Sequence, residues 1–292
     1  MVRVMGTSAC GFAALVVAAL LAVGCGSARL VKTVPPTSGV PARPSGTLAM
    51  TLEAQDERLS VALLAVAIAP NAETYRQLAR EYRRLGVMDK AHEHFSDAVR
   101  LDTSDASSYD ALARIWRDWG AAKLGLADAY RAVYYAPNSA AAANTLGTLL
   151  QATGNIDPAK LWYARAVSLD KDAWYALNNL CYAAVITREA AVNLCQAAVA
   201  AAPGTKSKVA QNNLALAHLA AGDANSARQW FRRAGDPATA SYNYGIAMMA
   251  TRAYKEATVA FEEALRADPQ STLAAKRVRQ ARLAAAAEDP KP

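Results

Sequence analysis

The chain has 292 residues, a formal net charge of +7 and four cysteines, Cys10, Cys25, Cys181 and Cys195. That length admits two ordinary domains or one extended repeat array. No Cys-x-x-Cys pair is present, which argues against a zinc ribbon, and the positive balance points to anionic partners without bearing on the fold. Strand-favouring residues are sparse and alanine is abundant, so the expected class is all-α.

In chain order, residues 1–24 read as a targeting segment. Arg3 supplies a sparse positive start, and Gly11 to Val23 is apolar but shorter than the roughly 20 residues a bilayer span needs. Leu21-Ala22-Val23-Gly24-Cys25 resembles the lipobox of bacterial lipoproteins. The resemblance implies cleavage before Cys25, acylation of its thiol and new amino group, and a firm hold on a membrane. In the lipoproteins of Gram-negative bacteria aspartate after the cysteine favours the inner membrane, so with Gly26 there the resemblance implies the outer membrane, facing the periplasm. An uncut anchor that happens to contain a cysteine is the alternative. Residues 25–50 carry Pro35, Pro36, Pro41 and Pro44 among Ser, Thr and Gly with no apolar period, and read as a stiffened tether.

Beyond the tether the sequence repeats. Leu78, Leu112, Leu146, Leu180 and Leu214 stand 34 residues apart, each followed by a small residue: Ala79, Ala113, Gly147, Cys181 and Ala215. Tyr244-Gly245 repeats the pair after 30 residues. A second small residue follows at Ala91, Gly125, Ala159, Ala227 and Ala257, and an aromatic beyond it at Phe95, Tyr163, Phe231 and Phe261. Pro137, Pro203 and Pro269 close units. This pattern resembles the tetratricopeptide repeat, or TPR, with Tyr75-x-x-Leu78-Ala79-x-x-Tyr82 and Ala91-x-x-x-Phe95 as its clearest unit. The resemblance implies a right-handed superhelical solenoid of antiparallel helix pairs, with small residues where backbones approach closely. The expected organisation is a leading half-repeat helix in 51–71, six repeats over 72–271, and a capping helix and tail in 272–292. The fourth repeat is short by two residues around Ile186 to Glu189, and the fifth loses about one turn near "RRAGDPATA".

In this register Cys181 and Cys195 take the positions of Ala79 and Phe95, which antiparallel helices make neighbours. A disulfide between them is expected if the protein reaches an oxidising compartment; two packed free thiols are the alternative. The histidines His92, His94 and His218 form no metal-binding or catalytic motif, and no phosphate loop or nucleophile elbow occurs. The chain therefore reads as a non-enzyme with no cofactor and no metal.

The resemblance also places a peptide-binding groove on the first helix of each pair. Gln77, Asn179, Asn213 and Asn243 precede the packed position, the last three forming a candidate asparagine ladder able to donate to and accept from a peptide backbone. Asn144, Asn178 and Asn212 stand one residue earlier. Arg76, Arg80, Arg83, Arg114 and Arg117 make one end of the groove basic, while Tyr182, Leu216 and Ile246 make the other apolar. An extended protein segment with acidic and apolar portions is the expected ligand, and nucleic acid is not. The stretches "ALNNLCYAAV", "VAQNNLALAHLAAGD" and "ASYNYGIAMMA" are similar to TadD, the TPR lipoproteins of tight-adherence (Flp) pilus loci. That resemblance implies a scaffold for pilus or secretion-machine assembly. An adaptor for cell-wall enzymes or outer-membrane protein assembly, and an enzyme acting on envelope glycans, remain as alternatives.

Overall fold

The structure, a computed structural model, describes residues 56–288. The expected signal segment, Cys25, the tether, residues 51–55 and the last four residues lie outside the described residues. Among the described residues there are fourteen α-helices and no strand. They are α1 (Glu57–Ile68), α2 (Ala72–Arg84), α3 (Met88–Leu101), α4 (Ala106–Asp118), α5 (Ala122–Tyr135), α6 (Ala140–Ala152) and α7 (Ile156–Leu169), followed by α8 (Trp174–Ile186), α9 (Val192–Ala201), α10 (Ser207–Ala220), α11 (Ala224–Ala234), α12 (Pro237–Ala250), α13 (Tyr254–Ala267) and α14 (Thr272–Glu288). The chain divides into two compact units between Lys171 and Asp172. The first holds α1 and the pairs α2/α3, α4/α5 and α6/α7; the second holds α8/α9, α10/α11, α12/α13 and α14.

Local chemistry starts and stops these helices. Asp56, Asn71, Asp105, Ser139, Asp223 and Asp236 each accept a backbone N–H of the first turn, satisfying a donor that helix geometry leaves open. Asn71 and Thr74 form a reciprocal capping box. The first helix of four pairs ends on a glycine with positive φ: Gly86 at 79°, Gly120 at 75°, Gly154 at 86° and Gly222 at 83°. Glycine carries no Cβ to clash there, so the chain reverses at little steric cost. The remaining two pairs put Arg188 (φ 60°) and Arg252 (φ 61°) in the same place.

Two pairs set a glycine of the first helix against an aromatic ring of the second. A Cβ added to Gly147 would lie 2.6 Å from the Tyr163 ring, and one added to Gly245 would lie 2.7 Å from Phe261. Those distances are far inside van der Waals contact, so at these two positions the close approach of the ring requires glycine. Leu78, Leu112, Leu146 and Leu214 are buried, whereas Leu180, in the helix that opens the second unit, is half-buried. The two-residue deletion of the fourth repeat is absorbed by α9, which has 10 residues where α3, α5 and α7 have 14. In the fifth repeat α11 has 11 residues, and Asp236 and Pro237 then begin α12.

Cys181 and Cys195 are joined, with an S–S distance of 2.10 Å and Cα atoms 4.9 Å apart. The bond occupies the site of the small-to-aromatic contact, and both cysteines are fully buried. It ties α8 to the shortened α9, where less helix is available to pack.

Candidate functional site

In the first unit the first helices of successive pairs face one another through a ladder of arginines. Arg114 Nε donates to Thr145 Oγ1 at 3.1 Å, and Arg117 Nη1 donates to Thr148 Oγ1 at 3.3 Å. Each reaches 31 residues along the sequence, so a side chain on one helix meets the position 31 residues later on the next. Carboxylates neutralise most of the row. Arg76 pairs with the buried Asp105 at 2.8 Å and with Glu73, Arg114 pairs with Asp110 at 2.9 Å, and Arg117 pairs with Asp118 at 2.8 Å. Arg80 meets only a hydroxyl, Ser107 Oγ at 3.1 Å. Gln77 donates to Glu73 of its own helix at 2.7 Å.

Arg83 differs from the rest. The same 31-residue step brings it to Arg114, another cation, where Arg114 and Arg117 find threonines. The Arg83 guanidinium accordingly has no hydrogen bond or ion pair among the described residues. Burial holds its guanidinium below the ordinary arginine value, and the charge of Arg114 lowers it further. Asp110 and Asp118 act in the opposite sense. Beside them, Asp110 Oδ1 is buried with no hydrogen-bond donor. A face that looks strongly basic in sequence is thus nearly compensated, with its residual positive charge at Arg80 and Arg83.

The second unit departs from expectation. Asn213 is 1% exposed, and its Nδ2 donates to Asn178 Oδ1 at 2.9 Å. Asn243 Nδ2 donates to Asn212 Oδ1, also at 2.9 Å and again 31 residues away. The ladder therefore joins neighbouring helices to one another instead of presenting a row of amides. Asn179 is half-buried. Tyr182 and Ile246, expected to line an apolar groove, are buried, and Leu216 is half-buried against the core that holds Ile246. The reason is spacing: these positions sit where the following first helix packs, so the neighbour covers what a single amphipathic helix would display.

The histidines belong to packed clusters. His94 stacks between Tyr75 and Tyr82. His92 lies 4.9 Å from the Trp116 ring and 5.3 Å from Trp119, and burial lowers its pKa. Burial raises the carboxyl of Asp128, which the Trp116 side chain hydrogen-bonds. His218 lies 3.4 Å from Asp223. Among the described residues no group of three or more His, Cys, Asp or Glu could hold a metal ion. No helix of the described residues is long and apolar enough to cross a membrane.

Residues 140–172, the span of α6 and α7, match the family model described as tetratricopeptide repeat. The fold of the helix pairs is that of TPR solenoids, as three solved structures show. A chain of the APC/C hetero-tetramer Cut9-Hcn1 is similar at 17% identity with a TM-score of 0.62 over 80% of this chain, which spans about half (48%) of that one. A tetratricopeptide repeat protein from Parabacteroides merdae is similar at 14% identity and TM-score 0.58, over 81% of this chain and 94% of that one. PilW, described as a widely conserved type IV pilus biogenesis factor, is similar at 18% identity and TM-score 0.59, over 72% of this chain and 97% of that one. No curated protein matches the sequence.

Proposed function

We propose that this protein is a lipid-anchored TPR scaffold of the bacterial envelope, held at the outer membrane through Cys25. It holds an extended acidic segment of a protein partner on the face formed by α2, α4 and α6, in the assembly of a pilus or secretion machine. The observation that carries the reading is Arg83, an exposed cation whose guanidinium has no acceptor, beside Arg80, which meets only a hydroxyl, on a face whose other arginines pair with carboxylates. A carboxylate delivered there gains a charge-assisted bond without breaking one, whereas elsewhere on the row it would compete with Asp105, Asp110 or Asp118. The lipobox-like run before Cys25 supports the anchor. The likeness in fold to a pilus biogenesis factor supports the setting at the level of architecture.

The test is crosslinking in the native cell, then affinity capture through the C-terminus and identification of what is bound. The intact protein is compared with Arg83→Glu and with Cys25→Ala. Pilus or secretin components that are captured by the intact protein and lost with Arg83→Glu are the expected result, with Cys25→Ala released from the membrane fraction. Equal capture by Arg83→Glu removes the arginine face from the account. Capture of cell-wall enzymes in place of pilus components replaces the assembly role with an adaptor role.

A further inference from the structure

The first described helix is apolar on the side that no other described helix covers. Val61 is 61% exposed, Leu64 60% and Ile68 75%, all on one stripe of α1. No charged residue occurs from Leu59 to Ala72. The repeat register says what this stripe is for. Val61 stands 34 residues before Phe95, and Leu64 stands 34 before Ala98. Phe95, Ala129 and Tyr163 are at most 1% exposed, and Ala98, Ala132 and Ala166 are fully buried. In the later pairs the first helix of the same pair covers these positions. The structure thus contains the second helix of a leading repeat with its first-helix face open.

Two sources of that missing helix made of this same sequence are disfavoured. One repeat before Tyr75, Leu78 and Arg80 the sequence has Pro41, Pro44 and Gly46. Proline in a helix interior removes a hydrogen bond and clashes with the preceding turn, at a cost of about 3 kcal/mol. A second copy offers α14, the one first-type helix with no helix following it among the described residues. There Arg279 occupies the place that Gly245 holds against Phe261, and Lys276 is also exposed. Those cations would be driven into an uncharged face. We infer that the stripe of Val61, Leu64 and Ile68 receives an amphipathic helix from another protein, whose contact face carries no charge and which completes the leading repeat. The surface is separate from the arginine face, so the two proposals stand or fall independently.

The test uses the full chain in its native cell, with a photoreactive benzoylphenylalanine at Val61 or Ile68. Leu161, an apolar residue 74% exposed on α7, serves as control position. The expected result is a crosslink from 61 and 68, and not from 161, that maps to a helical segment of another protein with an uncharged stripe. Leu64→Glu and Ile68→Lys (read from position 61) should each lower its yield on the order of tenfold, equivalent to about 1.4 kcal/mol. Both sites are exposed, so helical content and thermal midpoint should not move. Crosslinks to residues 41–55 of the same chain, to α1 of a second copy or to lipid overturn the proposal. So do a yield unaffected by both substitutions and the absence of any crosslink.

Discussion

Asn213 on α10 donates to Asn178 on α8 across 35 residues of sequence, in a site almost closed to solvent. The Asn213 carbonyl oxygen has no partner of its own. Truncating either residue leaves a buried polar group unmet, which costs about 1–3 kcal/mol. Asn178→Ala and Asn213→Ala should each destabilise by that amount in urea unfolding. The double variant should cost clearly less than their sum, because both remove one shared bond. Strict additivity would mean that the bond contributes nothing.

The approach of Gly147 to Tyr163 gives a prediction opposite to helix propensity. Alanine in place of glycine within a helix ordinarily stabilises by about 1 kcal/mol. Here the new methyl would meet ring carbons at 2.6 Å. Gly147→Ala should therefore destabilise, by about 1–3 kcal/mol as overpacked cores do. The loss should shrink in a Tyr163→Leu background, as read from thermal midpoints of the four proteins.

Arg188 and Arg252 hold the left-handed turn that glycine holds at 86, 120, 154 and 222. A side chain in that conformation costs about 1–2 kcal/mol. Arg188→Gly and Arg252→Gly should each stabilise by about 1 kcal/mol, less what glycine loses in chain entropy. Gly120→Ala should move stability the other way. Chemical denaturation of the three variants checks the sign.

The Cys181–Cys195 bond closes a loop with a sequence separation of 14. A closed loop of about 15 residues is worth roughly 3 kcal/mol by restricting the unfolded chain. Reduction, or Cys181→Ala with Cys195→Ala, should lower unfolding stability by about that much. Hydrogen exchange should then rise first in α8 and α9, because α9 is the shortest α-helix of the described residues.

His92 supplies a pH dependence. Its folded pKa lies below the ordinary histidine value because burial disfavours the charged ring. Below about pH 6.5 the unfolded chain takes up a proton that the folded protein resists, so this group's contribution to stability falls as pH falls. His92→Gln should flatten the decline of the thermal midpoint between pH 7 and pH 5. An unchanged slope would show that His92 plays no part in it.

The sequence alone determined the helix pairs, because their signal is periodic and local. Leucine and its small neighbour recur at a fixed step, and a caps-and-prolines grammar separates the helices. The cysteine pairing followed from the same register, since antiparallel helices leave those two positions few other neighbours. Glycine recurs in the sequence at 86, 120, 154 and 222, and it is the structure that identifies these positions as the turn where Arg188 and Arg252 depart. The fate of the polar faces was not. Whether Asn213 meets solvent or Asn178, and whether Arg83 finds a threonine or another arginine, depends on which residue the next helix places 31 or 35 positions away. Periodicity assigns a residue to a face of its own helix. Only tertiary packing decides what lies opposite, and therefore whether a polar side chain is occupied in holding the fold or left available to a partner.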